Sequence, residues 1–86
     1  MLLSIVILFC DYDICYLNRA INSIKENVKF SDYEIIAVDN RETNKDLLKL
    51  DNVKVVTKGY NLNCFEGRRF GFENSSGKYI WNFDAD

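Results

Sequence analysis

Residues 2–9, LLSIVILF, form an almost unbroken run of Leu, Ile and Val. A strand with one wet face alternates apolar and polar residues. A continuous run belongs to a strand covered on both faces, and such strands build parallel sheets flanked by helices. Further β-type runs follow at residues 33–39 (YEIIAVD), 52–57 (NVKVVT) and 79–83 (YIWNF).

The segments between these runs read as helices and loops. Ile14, Leu17, Ile21, Ile24 and Val28 recur at intervals of 3, 4, 3 and 4, which predicts an amphipathic helix of about four turns. Asp11 and Asp13 are candidate N-caps for it, and Lys25 and Lys29 suit its C-terminal dipole. Residues 40–50 are polar and then weakly helical, with Thr43 or Asn44 as cap. Residues 63–75 can form a helix despite Gly67 and Gly71, and SSGK at 75–78 reads as a turn. The expected fold class is therefore α/β, a three-layer α/β/α Rossmann-like unit. About four parallel strands alternate with helices through right-handed crossovers.

Eighty-six residues make one domain at most. A chain of this size buries only about 60–65% of the surface its unfolded form exposes, so its stability margin is thin. Apolar residues make up 48%, a globular composition. Eleven basic residues against thirteen acidic ones leave a net charge of −2, with no general basic field to attract nucleic acid. The chain has no histidine, so a metal site would be oxygen-ligated and suited to a hard cation. Cys10, Cys15 and Cys64 match no zinc spacing and read as free thiols. The apolar opening is too short to span a bilayer and lacks the features of a signal peptide.

In an open parallel sheet, ligands bind beyond the carboxyl ends of the strands. Those ends carry Cys10 and Asp11, Asp39 and Asn40, Lys58, and residues 84–86. Three of the four ends are acidic. Carboxylates repel phosphate, so this choice suits hydrogen bonding to a sugar or base, or a divalent cation between acid and phosphate. Asp84 and Asp86 stand two apart, and in extended backbone both face one site. A solvated acidic turn would carry the same triplet. Asp39 and Asn40 suit nucleoside recognition, although an Asx turn closing the strand would also use them. Gly67 and Gly71 share one helix face and would let that helix approach the sheet or a ligand closely. Arg68 and Arg69, the only adjacent basic pair, could bind a phosphate or nucleobase or lie on the surface. The aromatics Phe65, Phe70, Phe72, Tyr79, Trp81 and Phe83 read as core. Neither a G-x-G-x-x-G nor a Walker A loop is present, which argues against a dehydrogenase or P-loop enzyme.

SIVI in the first strand, YEIIAVDN in the second, NVKVV in the third, then GRRFG and SSGKYIWNFDAD together resemble family-2 glycosyltransferases. The resemblance spans essentially all of residues 1–86 and implies the nucleotide-sugar-binding portion of a GT-A domain, ending just after the D-x-D motif. It implies that Asp84 contacts the donor and that Asp86, with Asp84, holds Mn²⁺ or Mg²⁺ on the diphosphate. Asp39 and Asn40 would recognise the nucleoside, and Arg68 would lie near base and phosphates. Phe9 and Asp11 would belong to the loop over the base, where Leu8 and Phe9 replace the family's usual proline and threonine. The full enzyme would transfer the sugar, with inversion, to a hydroxyl of a glycan or lipid-linked acceptor, as in polysaccharide biosynthesis. The catalytic base is not expected within this chain, so the chain alone would be inactive. The expected setting is cytoplasmic, or peripheral to the inner face of the membrane. Self-association through an uncovered fourth strand is also expected. The competing reading is a non-catalytic receiver-like or protein-interaction α/β module.

Overall fold

The computed structural model describes residues 1–9, 14–39, 53–58 and 63–84. In chain order the elements are β1 (Leu3–Phe9), α1 (Ile14–Asn27), β2 (Tyr33–Asp39), β3 (Val53–Thr57), α2 (Cys64–Glu73) and β4 (Tyr79–Asp84). The helix expected between β2 and β3, like the Asp11 and Asp13 caps, lies outside the described residues.

All four strands join one parallel sheet in the order β3-β2-β1-β4. The most apolar strands, β1 and β2, occupy the centre, where both faces are covered. On one face Ile5, Ile7, Phe9, Ile35 and Ala37 pack with Leu17, Ala20, Ile21 and Ile24 of α1. On the other face Val6, Ile36 and Val38 form a second cluster, to which Phe70 of α2 adds its ring. The period-2 alternation of each central strand thus feeds two cores, giving three layers, α/β/α. Each fully buried aliphatic side chain here stabilises the fold by about 1.5–3 kcal/mol.

Both ends of α2 and the C-terminal end of α1 are satisfied locally. Asn63 caps α2: its Oδ1 accepts from the Glu66 amide at 2.8 Å, and its Nδ2 donates to Glu66 Oε1 at 2.7 Å. At the other end, Asn74 Nδ2 donates to the Phe70 carbonyl at 2.9 Å. Asn27 does the same for α1, donating to the Ser23 carbonyl at 2.7 Å.

The two glycines of α2 serve packing against the sheet. A Cβ added at Gly67 would come within 2.6 Å of Leu8 Cδ1, and one at Gly71 would collide with Val6.

The aromatic residues correct the sequence reading. Phe70 and Phe83 pack against the cores, but Phe65, Phe72, Tyr79 and Trp81 are exposed. The reason is topological. β4 is an edge strand, and α1 lies over its neighbours. Tyr79, Trp81 and Phe83 therefore extend the α1 face of the sheet where no described helix covers it, with Trp81 and Phe83 in edge-to-face contact at 5.2 Å. Among the described residues, no helix is long and apolar enough to cross a membrane.

Candidate functional site

Parallel pairing brings all four strand ends to one edge of the sheet. Phe9 is level with Asp39, Asp39 with Thr57, and Leu8 with Asp84. Asp39 and Asp84 thus end the two strands that flank β1. Two strand spacings of about 4.8 Å separate their backbones laterally.

Asp39 is only 2% exposed beside the core residues of β2. A carboxylate in that position needs hydrogen-bonding partners. Among the described residues, no buried side-chain polar atom lacks one. Phe9 ends β1 as expected, but its ring is turned into the α1 core, so what this position offers a ligand is backbone.

Helix α2 begins at the same edge. Gly67 rests on Leu8, whose register partner is Asp84. The capped N-terminal turn of α2 therefore stands level with the strand ends. Arg68, the next residue, is exposed there. Arg69 points along the helix and pairs with Glu73 at 3.3 Å. Beside them lies a cavity of about 470 Å³ lined by Lys58, Glu66, Arg69, Phe70 and Glu73, with Lys58 Nζ 5.1 Å from the centre of the Phe70 ring. Its two cations face two acids, so it carries no strong preference for anions.

Of the residues singled out from the sequence, the structure brings together Phe9, Asp39, Arg68 and the backbone of Asp84. Asp11, Asn40 and Asp86 lie outside the described residues, as does the side chain of Asp84. Among the described residues, no group of three or more metal-ligating side chains is present.

One polar cluster escaped the sequence reading. At the opposite edge of the sheet, the Glu34 carboxylate of β2 accepts from Ser4 Oγ of β1 at 2.5 Å. It also accepts from the Ser76 amide at 2.7 Å and from Ser76 Oγ at 2.9 Å. Ser4 Oγ in turn accepts from the Gly77 amide at 2.7 Å. Burial alone would raise the pKa of Glu34. The hydrogen bonds from Ser4 and Ser76, with the charge of Lys54, outweigh it and hold the carboxyl below its ordinary value. The available signal was a Ser and a Glu interrupting two apolar runs.

The model of the glycosyl transferase family 2 matches residues 4–86. No curated protein matches the chain. Among solved structures, the crystal structure of S. aureus TarS 1–349 superposes on all of this chain with a TM-score of 0.84 at 20% identity. A second structure of S. aureus TarS gives 0.81 at 19% identity. The chain spans 28% and 17% of the lengths of those two. At such identity the likeness is one of fold, and it identifies the α/β/α unit as the GT-A, Rossmann-like type.

Proposed function

The chain belongs to glycosyl transferase family 2, and from that membership we propose that it is the part of such an enzyme that binds a nucleotide-diphosphate sugar through a divalent cation. The observation that carries this reading is the convergence of Asp39, Asp84 and the start of α2 at the carboxyl edge of one parallel sheet. Ligands of open α/β sheets bind at that edge.

The roles are those that membership of the family implies for these residues. Asp39, held rigid by burial, and Asn40 beside it would hydrogen-bond the nucleoside. The backbone at Phe9 and the following Asp11 would line the base. Arg68 would approach base and phosphates from α2. Asp84 and Asp86 would hold Mn²⁺ or Mg²⁺, an ion suited to a donor set of carboxylates and phosphate oxygens without histidine. When bound, that ion would neutralise charge on the diphosphate leaving group. In the whole enzyme the sugar would pass with inversion to a hydroxyl of a glycan or lipid-linked acceptor. The general base for that hydroxyl would come from outside this chain, which alone would bind donor without turnover.

Isothermal titration of UDP and GDP, each with and without Mn²⁺, tests the reading. Binding of one nucleotide that requires Mn²⁺ is expected. If neither nucleotide binds under any condition, the donor-site reading fails and a non-catalytic α/β module becomes the better account.

A further inference from the structure

We propose that Glu34 is a positioning residue for the donor site: its carboxylate, bound to Ser4 and Ser76, sets the register of β4 and so determines where Asp84 stands. The inference rests on the donor-site reading above for its functional consequence, and on the hydrogen bonds alone for its structural part.

The strand that carries Asp84 is one of the two edge strands of the sheet. Among the described strands, β4 pairs with β1 only. Its side chains hold it only in part: Phe83 and Ile80 are half-buried against the two cores, while Tyr79 and Trp81 on one face and Asn82 on the other are exposed. A one-residue slip would exchange the two faces. A two-residue slip would preserve them but carry Asp84 about 7 Å along the strand direction. Either would take the acid out of line with Leu8 and with the first turn of α2.

The side-chain hydrogen bonds that oppose a slip are concentrated at the start of the strand. The Ser76 amide and hydroxyl both donate to Glu34, and the Gly77 amide donates to Ser4 Oγ, which itself donates to Glu34. One carboxylate thus joins β1, β2 and the turn that launches β4. The first ladder bonds follow at once, Lys78 N–H to the Met1 carbonyl at 3.0 Å and Tyr79 N–H to the Leu2 carbonyl at 2.9 Å. Only glycine fits at position 77 in this arrangement, because a Cβ there would lie 2.5 Å from both the amide nitrogen and Oγ of Ser4. The clamp holds Ser4 opposite Ile80, and therefore Leu8 opposite Asp84. Four residues of strand, about 13 Å, separate clamp from site. Glu34 cannot touch a ligand at Asp84, and any effect it has there must travel through register.

The test compares wild type with Glu34→Gln and Ser76→Ala, with Val53→Ala on the far edge strand as a control for stability lost elsewhere. Two readouts are taken well below the melting temperature. One is the affinity for UDP and GDP in the presence of Mn²⁺. The other is the set of nuclear Overhauser contacts between β1 and β4 backbones, which reports register without any ligand. Glu34→Gln is expected to weaken Mn²⁺-dependent nucleotide binding by about tenfold or more and to thin the contacts that pair Leu8 with Asp84. Ser76→Ala, which keeps its amide, should show a smaller change in the same direction, and Val53→Ala neither. Should Glu34→Gln fail to fold, Ser76→Ala decides alone. Unchanged register contacts in the folded variants overturn the proposal, and so does a changed register with undiminished affinity. If wild type binds no nucleotide, the donor-site reading falls while the register contacts still decide whether Glu34 positions the strand.

Discussion

Gly71 of α2 lies directly on Val6 of β1: a methyl group on its Cα would run into the Val6 side chain and come within 3.0 Å of Val38 Cγ2. Both valines sit in a closed core. Ala is the better helix former by about 1 kcal/mol, but overpacking a core costs about 1–3 kcal/mol. Gly71→Ala should therefore destabilise the fold in chemical denaturation, with the midpoint lowered. A raised midpoint would show that α2 is less tightly seated than the structure has it.

Gly67→Ala should behave differently. Its close neighbour is the end of the flexible, half-buried Leu8 side chain, which can turn aside. The gain in helix propensity then offsets the crowding, and the net change is expected within about 1 kcal/mol of zero. A loss equal to that of Gly71→Ala would contradict this distinction.

Burial separates the apolar residues in the same measurable way. Ile36 is fully buried, and Ile36→Ala should cost about 2–5 kcal/mol. In so small a domain that loss takes most of the stability, visible as a large fall in melting temperature by circular dichroism. Phe65 is 76% exposed, and Phe65→Ala should change stability by no more than about 0.5 kcal/mol. Equal losses at the two positions would refute the placement of α2.

Acid should act through Glu34. Its pKa in the folded protein lies below the ordinary value of 4.5: burial, which raises it, is outweighed by the Ser4 and Ser76 hydrogen bonds and by Lys54. The folded state thus binds its proton less readily than the unfolded state. The stabilisation is fully present above the ordinary carboxylate value and is lost as pH falls through the folded pKa. The gap in melting temperature between wild type and Glu34→Gln should be widest near neutral pH and close as pH falls below 4.5 and through the lowered pKa of the folded state. A gap that stays constant with pH would show that the ionised carboxylate contributes nothing.

The fold was legible in the sequence where one chemical pattern admits one structure. The apolar run at residues 2–9 reads as a doubly covered strand and is β1, and the 3-4 spacing from Ile14 to Val28 reads as the helix that is α1. Gly67 and Gly71 signalled a close approach, and the structure shows that the sheet makes it. Strand order was not legible, since parallel connections of similar length permit several. That ignorance led Tyr79 and Trp81 to be read as core, when they belong to an edge strand. The Glu34 clamp was hidden for a related reason: its partners Ser4 and Ser76 are 30 and 42 residues away. For the site, the acids at strand ends could be read directly. The level placement of Asp39, Asp84 and the start of α2 depends on register, which no local pattern encodes.

The central claim is that a metal-bound nucleotide sits at the carboxyl edge of this sheet. Paramagnetic broadening of backbone amide signals by Mn²⁺, with UDP or GDP present, tests it most directly. Broadening should be strongest at Phe9, Asp39, Gly67 and Asp84, and weakest at Ser4, Glu34 and Ser76 on the opposite edge. It should vanish in Asp86→Ala. Broadening centred on the Glu34 edge, or spread evenly over the chain and unchanged in Asp86→Ala, would contradict the account.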